Sequence, residues 1–337
     1  ASAGEPVIRA AVMQAMKMMG GQYVLGRNIK EGLKRGAKQN DISTRFSFDM
    51  LGEGARTDAD ARNYLTAYAS AIDSIGRGES SPELGKEPSK EPSKEPSKEH
   101  DVNNANGISV KLSALHPRYY FAQNDLVMKE LLPRIKQLCV QAAKYNIGLS
   151  IDAEEAYRLD ISMDIFEALA KDSDLDGWQG LGFVLQAYQK RAPDTAKWLI
   201  GLARETHRRL MVRLVKGAYW DAEIKHAQEL GLASYPVFTR KANTDLCYQH
   251  CAGILLDAQD AVYPQFATHN AYTATMILNI AGDRDFEFQR LHGMGHILYD
   301  NLRRSISKAA NPKAATAKNI PVRVYAPIGN HSDLLPY

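Results

Sequence analysis

The sequence predicts an α/β fold in which parallel strands close into a (β/α)8 barrel. Two observations carry that expectation. Short apolar runs alternate with helical stretches along most of the chain, and eight such runs can be placed. Polar and charged side chains gather at the C-terminal ends of several of those runs, where barrels build their sites. A length of 337 residues suits one large barrel, although two ordinary domains would also fit.

Taken in order, Pro6 to Lys38 reads as a helical arm, giving an N-terminal segment over 1–40. Arg45-Phe-Ser-Phe-Asp-Met-Leu51 alternates like a strand, and Asp58-Ala-Asp-Ala-Arg-Asn-Tyr64 opens a helix whose acidic first turn suits the helix dipole. These form the first strand and helix of the barrel, over 41–80. From Lys86 to Glu99 the unit Lys-Glu-Pro-Ser repeats. Proline at every fourth residue forbids a helix and nothing apolar is available to bury, so 81–104 is expected to be a disordered, charge-balanced linker. The remainder of the barrel occupies 105–337. Its strand candidates are Ile108–Ala114, Gly148–Ala153, Leu181–Ala187, Leu210–Val215, Val262–His269, Phe286–Leu291 and Val322–Ala326. The clearest helix is Asn124–Tyr145, with Val127, Leu131, Ile135, Leu138 and Ala142 on one face; Asn124 or Asp125 is the expected cap and Asn146-Ile-Gly148 the stop.

Side chains alternate faces along a strand. Placing Ile108, Val110 and Leu112 outward leaves Ser109, Lys111 and Ser113 inside, and the same sorting puts Ser150, Asp152 and Glu154 inside. Gln186 and Arg213 fall inward near strand ends, and His269 ends another strand. Charge inside a barrel is costly unless it is paired or serves a ligand. Lys111 with Asp152 taken alone reads equally as a structural ion pair, and Arg213 as a partner for backbone carbonyls. Several such groups on several strands point to a ligand-lined mouth.

Composition narrows the chemistry. Hydrophobic content of 45% and charged content of 24% are those of a globular chain, and a formal charge of +3 with no basic, aromatic-interleaved tract argues against nucleic acid. Cys139, Cys247 and Cys251 are too few for a disulfide framework, and Cys247 with Cys251 read as helix packing. No apolar run approaches the roughly 20 residues that span a bilayer, and no signal peptide is visible, so the cytoplasm is the expected compartment. A chain opening Ala1-Ser-Ala-Gly reads as a piece of something longer.

His292-Gly-Met-Gly-His296 has the spacing of a helical metal pair, but its glycines favour a turn and no glutamate follows the first histidine; no metal is expected. A metal-dependent hydrolase using Asp152, His269 and His292 remains the competing enzyme class. Gly293-Met-Gly295 and Gly52-Glu-Gly54 each supply only part of a dinucleotide fingerprint, and no Gly-x-Ser-x-Gly elbow occurs. What remains is basic and aromatic: Arg213, Lys216, Tyr219 and Trp220, then Thr239-Arg-Lys241, then Thr268-His-Asn270. Cations suit a pyrophosphate, Gly217 permits close approach, and Trp220 offers either a shelf for a planar ring or ordinary packing. A positive group beside an isoalloxazine favours its anionic reduced state, a role open to Arg213.

Seven strings then match a known family in the right order. They are Gly107-Ile-Ser-Val-Lys-Leu-Ser-Ala-Leu-His-Pro-Arg-Tyr119, Ile151-Asp-Ala-Glu-Glu155, Phe183-Val-Leu-Gln-Ala-Tyr-Gln-Lys-Arg191, Arg213-Leu-Val-Lys-Gly-Ala-Tyr-Trp-Asp221, Tyr263-Pro-Gln-Phe-Ala-Thr-His-Asn270, Phe286-Glu-Phe-Gln-Arg-Leu-His-Gly-Met-Gly295 and Tyr325-Ala-Pro-Ile-Gly329. From about Gly4 to Tyr337, the Lys-Glu-Pro-Ser tract apart, the chain resembles the proline dehydrogenase domain of bacterial bifunctional proline utilisation A flavoproteins.

The resemblance implies a distorted, TIM-like barrel that binds FAD noncovalently and oxidises L-proline to Δ1-pyrroline-5-carboxylate by hydride transfer from the neutral amine. It places Gln186, Arg213, Val215, Lys216, Gly217, Ala218 and Trp220 around the flavin, with Thr239, Lys241, Thr244, Thr268, His269 and Asn270 holding the rest of the cofactor and Gln289 among the cofactor-binding residues. Lys111 would meet the substrate carboxylate, and Asp152, Tyr219, Leu291 and Tyr325 would enclose the ring. It further implies a membrane quinone as electron acceptor, a parent protein peripheral to the inner membrane, and an aldehyde dehydrogenase portion elsewhere in that parent. The family's last barrel helix carries an Arg-Arg pair that clamps the carboxylate, and this sequence ends at Tyr337 before it. Two missing charge-assisted contacts, at about 1.5–3 kcal/mol each, give an expectation of impaired proline affinity, or of a flavin-binding barrel without full activity.

Overall fold

The computed structural model describes residues 21–38, 44–78, 101–309 and 320–329. The first part of the expected helical arm, up to residue 20, the Lys-Glu-Pro-Ser tract and residues 330–337 lie outside the described residues.

All eight strands run parallel and close into a barrel in sequence order. They are β1 (Thr44–Met50), β2 (Gly107–Val110), β3 (Gly148–Ile151), β4 (Leu181–Gln186), β5 (Leu210–Val215), β6 (Val262–Ala267), β7 (Glu287–Leu291) and β8 (Val322–Ile328). Helix α1 (Ile29–Lys38) precedes β1, and α2 (Asp58–Gly76), α3 (Asn124–Lys144) and α4 (Leu159–Ala170) follow β1, β2 and β3. Helix α5 (Ala192–Glu205) follows β4; α6 (Trp220–Glu229) and α7 (Lys241–Leu256) both follow β5. Helices α8 (Ala271–Ala281) and α9 (His296–Ala309) follow β6 and β7.

Outward strand positions are apolar and buried: Phe48, Ile108, Val110, Leu149, Val212, Phe266 and Val324 belong to one core with the inner faces of the helices. Full burial of each such side chain contributes about 1.5–3 kcal/mol. Helix starts follow their caps. Thr57 accepts from the Asp60 N–H, and the Asp60 carboxylate accepts from the Thr57 N–H, closing a capping box on α2. The expected cap on α3 does not form, because Asn124 is already helical at φ -52° and ψ -48° and Gln123 holds the cap position; the Asn124 amide donates to Asp164, 3.0 Å away. Its stop is as expected: Asn146 takes φ 51° and the Ile147 N–H returns to the Ala142 carbonyl at 3.2 Å.

The helix α1 closes the seam between β8 and β1. Leu25 N–H donates to the Pro327 carbonyl at 2.9 Å, and Gly32 lies so close to β8 that a Cβ there would stand 2.3 Å from Ile328 Cδ1. At the N-terminal end of the barrel, Val102–Asn104 form a 3-10 turn with Val102 buried against Met211 and Tyr263. Residues 101–104, expected to fall in the linker, are therefore ordered here, since Val102 has an apolar pocket to fill.

Inside, the usual layers of branched aliphatics give way to polar groups. Ser47 and Ser109 share a hydrogen bond of 2.9 Å between their hydroxyls. Lower down, Glu287 is fully buried and accepts from Arg323 Nε at 2.6 Å and Nη2 at 3.0 Å, and from the amides of Gln265 and Gln289 at 2.9 Å each. Arg323 spends its remaining donors on the carbonyls of Ala105 and Asn103, at 2.7 and 2.9 Å. The pair joins β7 to β8 and carries the turn that plugs the floor. Glu287→Ala leaves the Arg323 charge buried without its partner and is expected to cost about 3–5 kcal/mol in urea denaturation; a loss below about 1 kcal/mol would show that the floor does not depend on this pair.

Candidate active site

The alternation that sorts β2 and β3 stops at Val110 and Ile151, where the chain leaves the sheet. Ser113 and Glu154, sorted inward by the sequence, therefore sit above the barrel. There the Ser113 N–H donates to Glu154 Oε1 at 3.0 Å, and Arg158 pairs with Glu154 Oε2 at 2.8 Å. Lys111 and Asp152, one residue beyond their strands, mark the last level at which the pattern holds.

Lys111 is 3% exposed. Its Nζ lies 3.2 Å from both Asp49 carboxylate oxygens, 3.4 Å from Asp152 Oδ2 and 3.2 Å from the Tyr325 hydroxyl. Asp152 Oδ1 accepts from Arg213 Nη1 at 2.7 Å, and Asp152 Oδ2 accepts from the Tyr325 hydroxyl at 2.7 Å. Arg213 Nη2 reaches the Ser109 hydroxyl at 2.8 Å and that of Ser47 at 3.3 Å, while the guanidinium stacks 5.2 Å from the centroid of the Tyr325 ring. One network thus joins β1, β2, β3, β5 and β8. Burial raises the Asp49 carboxyl above its ordinary range against the pull of Lys111, and the Asp152 charge pushes the same way as burial. Asp49 is a residue the sequence reading missed, although alternation places it inward with Ser47 on β1.

Above this network opens a cavity of about 620 Å³, within the ordinary range for small-molecule sites. Its lining includes Lys111, Asp152, Tyr219, Leu291 and Tyr325, together with Gln186, Arg213, Val215, Lys216, Gly217, Ala218, Lys241, Thr268, His269, Asn270 and Gln289. Ala153, Val184, Ala267 and Arg290 also line it and were not singled out. Three expected residues stand outside that lining. Trp220 is 42% exposed at the start of α6 and donates its indole N–H to the Phe238 carbonyl at 2.9 Å. Thr239 is exposed, and Thr244 is buried within α7.

The rim is held by local hydrogen bonds. Asn270 caps α8, accepting from the Thr273 N–H at 2.9 Å, and the Thr268 hydroxyl accepts from the Asn270 N–H at 3.1 Å. His269 Nε2 accepts from the Leu291 N–H at 3.0 Å, and burial, then Arg290, lower its pKa; the ring is held neutral. Gly217 has φ 133°, and a Cβ there would meet the Tyr188 ring at 2.4 Å, so its glycine is required by neighbouring protein as well as by backbone conformation. Tyr188 in turn donates to Glu223, 3.3 Å away, which also accepts from the Ala156 N–H at 2.6 Å.

The profile of the proline dehydrogenase family matches residues 32–337. This chain belongs to the proline dehydrogenase family. Bifunctional protein PutA of Klebsiella aerogenes is 48% identical over 99% of the chain, as is that of Escherichia coli, and the chain spans 24% of each relative's length. Proline dehydrogenase 1 of Bacillus subtilis is 23% identical over 91% of the chain and 81% of its own length. Among solved structures, a variant of Bradyrhizobium japonicum proline utilization A gives a TM-score of 0.81 at 48% identity, covering 99% of this chain and 31% of that one. Proline utilization A from Bdellovibrio bacteriovorus, inactivated by N-propargylglycine, gives 0.82 at 25% identity over 97% of this chain and 32% of that one.

In this proline dehydrogenase barrel the His292–His296 segment forms a turn after β7, with Gly293 at φ 80° and Gly295 at φ 75°. Among the described residues no group of three or more His, Cys, Asp or Glu is placed to hold a metal ion. Cys247 and Cys251 pack in α7 with their sulfurs 4.0 Å apart. His292 is 5% exposed, and its Nδ1 has no hydrogen-bond partner. Burial first, then the charges of Arg35, Arg290 and His296, bring its pKa down to about 4.

That shift has a definite sign. Below the ordinary histidine value of about 6.5 the unfolded chain takes up a proton that the folded chain refuses, so stability falls as pH drops from about 6.5 to about 4. The shift corresponds to roughly 3 kcal/mol. His292→Gln is expected to flatten the stability-versus-pH curve over that window by this order. Identical slopes for variant and wild type in urea denaturation would contradict it.

Proposed function

We propose that the barrel mouth binds FAD and oxidises L-proline to Δ1-pyrroline-5-carboxylate, with the electrons passing on to a quinone. The observation that carries this proposal is the convergence of Lys111, Asp152, Arg213 and Tyr325 beneath a cavity in a chain of this family.

Two atoms in the cavity wall test the fit of a flavin. Arg213 Nε and Gln289 Oε1 are buried and have no hydrogen-bond partner, leaving one donor and one acceptor without a mate. A flavin ring edge offers acceptors and an N–H that answer both. Gln186, Val215, Ala218 and Gly217 would hold the ring, and Lys216, Lys241, Thr268, His269 and Asn270 the remainder of the cofactor. When bound, the flavin supplies the two-electron acceptor for the hydride lost from the ring carbon beside nitrogen.

The protein's share is binding and orientation. Lys111 Nζ carries the charge for the substrate carboxylate, and Asp49, Asp152 and Tyr325 fix where that charge sits. Tyr219, Leu291 and Tyr325 give the proline ring an apolar enclosure. Asp152, tied to Arg213 and Tyr325 by separate oxygens, keeps the cations from drifting. The nitrogen must be the neutral amine, since its lone pair forms the C=N bond as the hydride leaves; its ammonium proton is shed to solvent beforehand, and the proton left on the iminium nitrogen is shed afterwards to give the imine. Such chemistry rests on positioning rather than on a covalent nucleophile. The inactivation of the Bdellovibrio bacteriovorus relative by N-propargylglycine supports a site for secondary amines that bear a carboxylate. In a parent chain of the relatives' length, a second dehydrogenase portion would take the product onward.

The purified protein is expected to be yellow and to lose its flavin absorbance on anaerobic addition of proline. A colourless protein would contradict the cofactor, and a yellow one that proline does not bleach would contradict the reaction. Lys111→Met removes a charge-assisted contact of about 1.5–3 kcal/mol, so proline and non-oxidisable proline-like carboxylates are expected to bind about 10- to 100-fold more weakly, with flavin retained. Unchanged carboxylate affinity would show that Lys111 is not their anchor.

A further inference from the structure

Two lysines line the mouth cavity: Lys216, just beyond β5, and Lys241, the first residue of α7. Both ammonium groups close on the same carboxylate. Lys216 Nζ lies 2.5 Å from Asp245 Oδ1, and Lys241 Nζ lies 2.6 Å from Asp245 Oδ2. Asp245 stands one turn along α7 from Lys241 and outside the cavity lining. Burial alone would push its carboxyl up, but the hydrogen bonds from Lys216 and Lys241 bring it below its ordinary range. It is anionic at neutral pH.

We propose that Asp245 is a resident anion that occupies both lysines and thereby sets how strongly this mouth prefers a diphosphate-bearing flavin over riboflavin. The proposal rests on the assignment of a flavin to this cavity. Its charge balance is simple. Lys216, Lys241 and Asp245 together carry one positive charge; with asparagine at 245 they carry two. An arriving diphosphate brings about two negative charges and meets a fixed carboxylate of its own sign beside the cations it needs. That repulsion acts on every diphosphate, whereas the ordering that Asp245 gives the lysines is worth less. Lys241 is 73% exposed, and exposed ion pairs contribute little. The carboxylate also serves the protein without cofactor, because it bridges two like charges that would otherwise repel across the rim. The arrangement trades some cofactor affinity for a rim that is stable before the cofactor arrives.

The test uses the flavin-loaded protein, with FAD dissociation constants read from flavin fluorescence on serial dilution and riboflavin affinity measured by displacement. Asp245→Asn is expected to bind FAD about five- to tenfold more tightly at low salt and riboflavin as before, and the FAD gain should shrink as salt screens it. FAD affinity that is unchanged or weaker would overturn the proposal, as would an equal gain for riboflavin. Lys241→Met provides an independent check should the asparagine variant fail to fold: FAD should weaken several-fold while riboflavin does not change, and equal losses for both would count against the proposal. A wild type that retains no flavin would sink the cofactor assignment together with this proposal. Tight wild-type binding with no change in Asp245→Asn would sink this proposal alone.

Discussion

Asp152 accepts from Arg213 with one carboxylate oxygen and from Tyr325 with the other, and Lys111 leans on the second of these from β2. Four strands meet at that one side chain. A barrel interior lined with branched aliphatics closes by packing alone, but this one contains serines, glutamines and paired charges. Each buried charge costs several kcal/mol to desolvate, so the sheet closes only in a register that brings every cation to its acid. Arg213, so paired, keeps its Nε without a partner, and Gln289, whose amide turns to Glu287, keeps its Oε1 without one. At the floor Glu287 and Arg323 are bonded through both carboxylate oxygens, although Gln265 Oε1 beside them lacks a partner. The cavity opens at the other end, where Lys111, Asp152, Arg213 and Tyr325 meet.

The mouth also divides by chemistry. On the side of β1, β2, β3 and β8, Asp49, Lys111 and Asp152 are buried and Tyr325 half-buried above them, suited to a small charged substrate. On the side of β5, β6 and α7, Lys216, Gly217, Ala218 and Lys241 are more open, suited to a larger group approaching from solvent. Between them, Arg213 reaches from β5 down to Ser47 and Ser109 and across to Asp152. The neutral His269 and the capped start of α8 fix the far wall without adding charge.

Much of this was legible in the sequence because period-two alternation is local. It identified Lys111, Asp152 and Arg213 as inward-facing before any partner was known, and it holds wherever the chain remains in the sheet. It fails where the chain leaves the sheet: Ser113 and Glu154 follow the pattern in sequence but sit in loops, bonded to each other. Asp49 was available to the same reasoning on β1, yet its significance comes from Lys111, 62 residues away, and no local pattern announces that contact. Trp220 illustrates a different limit. A large aromatic at a strand-to-helix junction suits a ring shelf, but the bond of its indole N–H to the Phe238 carbonyl, 18 residues on, has no signal in the local pattern. Gly217 shows that one residue can satisfy two demands, the turn after β5 and the close approach of Tyr188.

Everything proposed for this mouth turns on Lys111 as the anchor of a carboxylate beside a flavin. A crystal structure of the flavin-loaded protein with a non-oxidisable cyclic carboxylate tests this most directly. A carboxylate oxygen within hydrogen-bond distance of Lys111 Nζ, with the ring held between Tyr219, Leu291 and Tyr325, is the expected result. A ligand bound with its carboxylate away from Lys111, or outside the mouth cavity, would contradict it.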